Sequence, residues 1–414
     1  MSNTSSVREE KLKRIIELEK VLNEIQDIDV LLERILTEAR NIVHADAGSI
    51  YVYEHGMLGI RYGQNETQQK KLAPGQKLPY NFFTFPVNEK SMCGYAVLTG
   101  SILNVPDVYN LVDRPFVFNK QPDTLTGYRT KAVLTVPLKT AANKVLGVLQ
   151  IINPQTDDGQ LSEFDEASVL YIEHFATSAT QALERAHLTR AMILRMVQMA
   201  EFRDPKETGA HVNRVSNYAV EIYDHWAFKH NVSVAESEKY RDALKIAAML
   251  HDVGKVAISD VILRKPSRLT DEEYKIIQNH TLIGSRLFDD IQSPLDAMSR
   301  DVALRHHERW DGLGSPGKID LNSGEPLELN PETGKAAGLS GEEIPLAARI
   351  VSLADVFDAL SSKRVYKESW SEVEVLNEIQ SQAGKQFDPE LVMSFFEVLP
   401  NIRQIQMEIG RAHV

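Results

Sequence analysis

The sequence predicts a multidomain protein, with an α+β domain, then a long helix, then a second half of helical segments. Three observations carry that expectation. Runs of β-branched and aromatic residues are confined to about 47–154. An apolar heptad spacing is sustained from Ile172 to Ala200, and helix-like stretches bearing histidines and acids follow it.

Residues from about 7 to 43 read as one amphipathic helix. Leu12, Ile15, Leu18, Leu22, Ile25, Ile28, Leu32 and Ile35 recur there at spacings of three and four among charged residues. Strands are expected at 48–53, 132–138 and 145–152, each a β-branched or aromatic run ending in turn residues. From Tyr62 to Tyr128 the wealth of Gly, Pro, Asn and aromatics predicts long loops around a pocket. Helices flanking an antiparallel sheet make this stretch α+β. A long helix is expected to begin at Ser162 as N-cap, with Glu163 and Asp165 near the positive end of its dipole. Within it Ile172, Ala176, Ala179, Leu183, Ala186, Ile193, Val197 and Ala200 keep a heptad register broken only by Arg190. That face suits either packing on the chain's own domains or a parallel seam between two copies.

Composition narrows the function classes. At 43% hydrophobic and 25% charged residues the chain reads as an ordinary globular protein. No run approaches the about 18 apolar residues of a membrane span, and the N-terminus has no signal-peptide core. The lone Cys93 excludes a disulfide framework and reads as a small core residue. A cytoplasmic location is expected. The net charge of −12 argues against a nucleic-acid polymer as partner, but not against a small anion held by bound cations.

The second half gathers metal-ligand chemistry. Ala247-Ala248-Met249-Leu250-His251-Asp252-Val253-Gly254-Lys255 ends an apolar segment in an imidazole beside a carboxylate, donors that suit first-row transition metals. Glu207 and His211, four apart, would share one helix face. Thr270-Asp271-Glu272-Glu273 has the look of a capped helix start leading to His280, and His306-His307 lies beyond. An apolar helix from Pro345 to Leu360 carries Asp355 and Asp358. Five histidines and three acids (Glu207, Asp252, Asp355) would suffice for two or three ions with water completing their shells.

Residues 25–185 resemble a GAF domain, the small-molecule sensor module of signalling proteins. The resemblance rests on Ser49–Tyr53, on Met92-Cys93-Gly94-Tyr95-Ala96-Val97 with Thr99-Gly100, on Leu103-Asn104-Val105-Pro106-Asp107, and on the strands ending at Asn153. The signature of the cyclic-nucleotide-binding members is only partly matched, so the sensor's small-molecule ligand stays open.

The second half resembles the HD-GYP branch of the HD-domain metal phosphohydrolases. The motifs are Glu207-Thr208-Gly209-x-His211-x-x-Arg214, Leu250-His251-Asp252-Val253-Gly254-Lys255, His280-Thr281-x-x-Gly284, His306-His307-Glu308-Arg309-Trp310-Asp311-Gly312-x-Gly314-x-Pro316 and Ala354-Asp355-x-x-Asp358-Ala359-Leu360. Gly314-Ser315-Pro316 departs from the family's Gly-Tyr-Pro, and the stretch from about 317 to 341 is longer than usual and reads as a solvated excursion. The domain plan implied is an N-terminal helix (1–24), a GAF sensor domain (25–185), a connecting signalling helix (186–200), an all-α HD-GYP phosphodiesterase domain (201–400) and a C-terminal tail (401–414).

The resemblance also implies roles. Glu207, His211, His251, Asp252, His280, His306, His307 and Asp355 would hold two or three divalent ions, iron or manganese, with Asp252 as the bridge. Lys255 would serve catalysis by meeting a phosphate oxygen or the leaving oxygen. Gly314, Ser315, Pro316, Arg364 and Lys367 would contact substrate. The implied activity is bacterial, sensor-regulated hydrolysis of cyclic di-GMP to linear pGpG, and in some cases GMP, by a hydroxide held between the ions. Preference for another cyclic dinucleotide such as cyclic GMP-AMP, and a silent binding or interaction module, are the alternatives. A homodimer through the connecting helix and contacts with diguanylate cyclase proteins are the implied protein partners. Glu308, Asp311 and Asp358 read as supporting rather than catalytic.

Overall fold

The computed structural model describes residues 2–72, 84–156, 158–201, 209–265, 267–331, 333–361 and 370–411. Contacts divide the chain into two units, Met1–Thr189 and Arg190–Val414.

The first unit opens with α1 (Ser2–Glu24) and α2 (Ile28–Ile42) in place of the single helix expected over 7–43. Asp27 makes the break. Its Oδ1 accepts from the amides of Asp29 (2.9 Å) and Val30 (3.1 Å), so it caps a new helix instead of continuing the old one. Strands β1 (Ala45–Glu54), β2 (Met57–Asn65) and β3 (Thr84–Pro86) follow, with the short α3 (Glu66–Gln69) between the last two. Then come α4 (Met92–Thr99), β4 (Leu103–Val105), α5 (Gln121–Thr126), β5 (Val133–Lys139) and β6 (Val145–Pro154). The sheet runs β3-β2-β1-β6-β5-β4, and every pairing is antiparallel. His55 and Gly56, both at positive φ, close the β1–β2 hairpin, whose second strand is not among the expected ones.

One sheet face buries Ile50, Leu134, Val136, Leu149 and Ile151 against Leu31, Ile35 and Leu36 of α2. The opposite face packs Leu58 and Val148 on Cys93 and Val97 of α4. Burial pushes the Cys93 thiol up to about 12, so it stays protonated and inert, in keeping with a core residue.

The long helix α6 (Glu166–Glu201) starts three residues later than expected. Asp165 is its cap: Oδ1 accepts from Ser168 N at 2.7 Å, whereas Ser162 Oγ donates to Pro154 O. The heptad face is used within the chain. Ile172, Ala176, Ala179, Leu183 and Ala186 lie in the first unit's core, and Ile193 and Val197 pack with Val212, Ile246 and Met249 in the second. These residues are therefore not open to a partner helix. The exposed large apolar residues of α6 are instead Leu170, Leu188, Met192, Met196 and Met199.

The second unit is a helical bundle. Its helices are α7 (Gly209–Lys229), α8 (Val234–Met249), α9 (Asp260–Leu263), α10 (Asp271–Gln278), α11 (His280–Arg286) and α12 (Pro294–Arg305). They continue as α13 (Leu346–Ser361), α14 (Glu372–Ser381), α15 (Pro389–Glu397) and α16 (Leu399–Arg411). Capping boxes start α8 (Ser233/Glu236), α10 (Thr270/Glu273) and α14 (Ser371/Glu374). Tyr218, Ile222, Leu244, Ile350, Phe357 and Phe395 form the centre of the core. The segment set apart as a tail, 401–414, is helical through Arg411, and Ile402 is fully buried.

The excursion at 317–341 is ordered where described. Bridges Ile319–Pro326 and Leu329–Ala336 make two small hairpin lobes, closed by Gly324 N to Asp320 O (2.8 Å) and Gly334 N to Asn330 O (2.9 Å). Its two ends are tied to one buried side chain. Glu308 accepts from Gly317 N (2.8 Å, Oε1) and Leu339 N (3.3 Å, Oε2).

Candidate metal centre

His251 and Asp252 stand just past the end of α8, not inside it. Leu250 leaves helical geometry, and Val253–Ala257 turns as a 3₁₀ helix, so Lys255 N bonds Asp252 O at 3.0 Å. That tight turn brings Gly254 onto Gly284 of α11, whose first residue is His280. His306 and His307 follow the end of α12, Asp355 projects from α13, and His211 sits in the first turns of α7. Five segments thus aim their donors at one place.

The donors form two abutting groups. Asp252, His280, His306 and His307 offer ligand atoms within 4.8 Å of one another, and so do His211, His251 and Asp355. Asp252 faces both groups. Its Oδ1 lies 3.0 Å from His280 Nε2 and 3.6 Å from His306 Nε2, while Oδ2 lies 3.2 Å from His251 Nε2. Lys255 Nζ also donates to Oδ2, at 2.7 Å.

The imidazoles are oriented from behind. His251, His280 and His306 direct Nδ1 at the carbonyls of Ala248 (2.8 Å), Ile277 (2.6 Å) and Val302 (3.0 Å), which turns each Nε2 lone pair inward. His211 uses a carboxylate instead, with Nδ1 2.8 Å from Asp358 Oδ2. Arg214 in turn holds Asp358 with two bonds, 2.6 and 2.8 Å. His307 stands against His306 and His280, with its outer edge exposed.

Electrostatics suit neutral imidazoles around ionised carboxylates. Burial by itself raises the Asp252 pKa, but Lys255 and His251 more than offset it and hold the carboxyl well below the usual range. Asp358 is similarly depressed, burial being outweighed by Arg214 and His211. Burial pushes His306 down against the pull of Asp252, and His307 falls well below its ordinary value through desolvation and the neighbouring imidazoles. The buried Nε2 atoms of His280 and His306 and Oδ1 of Asp252 have no hydrogen bond, since with Nδ1 carrying the proton both sides of each approach are acceptors. Buried donors left this way call for another partner. Three imidazoles with a bridging-type carboxylate fit a divalent transition-metal cation.

The remaining expected site residues divide. Ser315 N bonds His307 O (3.1 Å), and Ser315 Oγ accepts from Gln278 Nε2 (3.2 Å), so Gly314-Ser315-Pro316 flanks the exposed edge of the quartet. Gly314 has no space for a side chain, since a Cβ would come 2.3 Å from Arg309 N. Glu207, Arg364 and Lys367 lie outside the described residues. Gln278 escaped the sequence reading, because a lone glutamine on a polar helix carries no signal. Glu308 was read only as supporting; its tie to both ends of the excursion shows in the fold alone.

An α+β domain followed by a helical domain with a histidine–aspartate candidate metal centre is the class that fold and site define. Residues 27–183 match the GAF domain, 208–360 the HD domain, and 330–391 a second HD domain description. The chain therefore joins a GAF domain to an HD domain. It is 36% identical over 209 residues to a "3′3′-cGAMP-specific phosphodiesterase 2" of Vibrio cholerae serotype O1, covering 50% of this chain and 34% of that protein. It is 37% identical over 211 residues to a "Cyclic di-GMP phosphodiesterase" of the same organism, covering 50% and 39%. The chain thus spans well under half the length of these two relatives. A solved GAF domain from Acinetobacter phosphoenolpyruvate-protein phosphotransferase is 16% identical, with a TM-score of 0.33, covering 45% of this chain and 98% of that one. Among the described residues, no helix is long and apolar enough to cross a membrane.

Proposed function

We propose that this chain is a sensor-regulated, cytoplasmic phosphodiesterase of the HD-GYP type that hydrolyses a cyclic dinucleotide, cyclic di-GMP foremost. The carrying observation is the placement of Asp252, whose two oxygens face two different ligand groups. A carboxylate so placed suits bridging of two cations. His280, His306 and His307 would serve one ion, and His211, His251 and Asp355 the other. Iron or manganese suits such mixed imidazole and carboxylate sets. Bound ions supply a water of lowered pKa and neutralise charge growing on the phosphate oxygens.

The chain's own residues would do the rest. Lys255, at the rim of the Asp252 carboxylate, would meet a phosphate oxygen and stabilise the leaving 3′-oxygen. The Nδ1 bonds would keep the imidazoles aimed, so that no reorientation is needed when substrate binds. Arg364 and Lys367 would hold the second phosphate of the ring. The GAF domain would take a small-molecule ligand and set the activity. A second copy along α6 would use Leu188, Met192, Met196 and Met199; Leu188→Glu leaving a sedimenting dimer intact would remove that face from consideration.

A second substrate has its own support. Ser315 replaces the family's tyrosine beside the quartet, and one relative is named for 3′3′-cGAMP. Manganese-loaded protein should be assayed with cyclic di-GMP and 3′3′-cGAMP in parallel, following the linear dinucleotides. Faster turnover of cyclic di-GMP is expected. Faster turnover of 3′3′-cGAMP favours the second substrate, and turnover of neither removes the enzymatic reading.

A further inference from the structure

His211 differs from the other inward-facing histidines in what stands behind it. His251, His280 and His306 rest on neutral main-chain carbonyls. His211 rests on Asp358, an ionised carboxylate buried to 1% exposure. Asp355 and Asp358 are one turn apart on α13, and the His211 ring spans them, with Nε2 3.4 Å from Asp355 Oδ1 and Nδ1 2.8 Å from Asp358 Oδ2. Arg214, three residues beyond His211 on α7, takes both oxygens of Asp358 and fixes the plane of the carboxylate.

From this geometry we propose that Asp358, locked by Arg214, is the positioning residue of the His211/His251/Asp355 centre. It sets His211 as the Nδ1–H tautomer, with the Nε2 lone pair presented beside Asp355. The inference rests on the proposed metal centre and deepens it. A carboxylate acceptor withdraws the Nδ1 proton more strongly than a carbonyl does, so it makes Nε2 the better donor to a cation. Arg214 supplies the compensating charge that lets a buried carboxylate remain ionised. The same helix turn of α13 thereby delivers both a ligand and the group that orients its partner ligand. Asp358 stands behind the His211 ring, on the side away from Asp355, so its effect on the centre runs through His211.

The test uses the full chain and manganese alone, with bound and free ion separated by electron paramagnetic resonance. Asp358→Asn keeps the shape but cannot accept from His211 and both Arg214 nitrogens at once. It is expected to weaken one manganese site by about 10–100-fold while the Asp252/His280/His306/His307 site keeps wild-type affinity. Asp358→Glu, which restores a carboxylate, should recover part of the lost affinity. Thermal unfolding of the metal-free proteins separates a folding defect from a binding defect. If Asp358→Asn fails to fold, Arg214→Lys carries the same test, because it keeps the charge but loses the two-point lock. Wild-type affinity at both sites in the folded variants overturns the inference and leaves the metal centre standing. A wild-type chain that binds no manganese overturns the metal centre and this inference together.

Discussion

The main chain of Gly254 packs directly on that of Gly284. A Cβ added to Gly254 would come 2.0 Å from the carbonyl of His280 and 2.5 Å from Gly284 N. This contact sets the separation of the His251-Asp252 turn from the helix that carries His280, and Asp252 and His280 belong to the same ligand group. Gly254→Ala must push α11 away. The expected cost is about 1–3 kcal/mol or more of stability, with manganese binding lost before the fold. Urea unfolding and metal content check it; an alanine variant with wild-type metal content would show that the contact does not set the site.

His306 and His307 should make the metal-free protein sensitive to mild acid. The folded chain holds the His306 pKa below its ordinary 6.5, and His307 well below it. The unfolded chain therefore binds more protons between the folded values and 6.5, so stability rises with pH across that window. The contribution is fully present above about 6.5 and fades as the pH falls toward the folded values. Asp252 and Asp358 have depressed values, and their contribution fades only in stronger acid, below the ordinary 3.8. With chelator present, the urea midpoint should fall from pH 7 to pH 5. An unchanged midpoint would mean that these imidazoles are not held neutral by the fold.

Glu308 is expected to clasp the excursion. It is buried at 2% exposure and bonds Gly317 N, Leu339 N and Arg305, which also bonds the Gly317 carbonyl. Glu308→Ala removes the acceptor for both ends and leaves Arg305 without its carboxylate, a loss of about 3–5 kcal/mol for a buried pair. Limited proteolysis should then cut within 318–338, where the wild-type chain resists. Equal resistance in the two proteins would assign the anchoring to other contacts.

Asp27 offers a separate check on the first unit. Its side chain caps α2 through two amides, so Asp27→Ala should cost about 0.5–2 kcal/mol, read as a lower melting temperature. Asp27→Asn should recover much of it, and a loss equal to that of alanine would point away from capping.

What the sequence disclosed follows from how local each signal is. Motif spacing singled out His211, His251, Asp252, His280, His306, His307 and Asp355, all of which converge in the fold. The heptad pattern of α6 was real, but periodicity records only that a face is buried, not what buries it. Here the sheet side of one unit and the helices of the other cover it. Helix ends were misjudged at Asp27 and Ser162, where several polar residues could serve as cap and tertiary context selects one. The β2 hairpin was missed because Gly59 and Gly63 interrupt its alternation, even though His55-Gly56 is a turn signal. Asp358 is legible in the sequence only as a supporting residue, since nothing in the spacing of Asp355 and Asp358 says that one imidazole lies between them.

The central claim is that Asp252 bridges the two ligand groups of a phosphodiesterase centre. Its most direct measurement is cyclic di-GMP turnover by manganese- or iron-loaded wild-type chain beside Asp252→Ala, with metal content determined on the same samples. Linear product from the wild type, and neither product nor full metal content from the variant, is the expected result. Unchanged turnover in Asp252→Ala would contradict the claim.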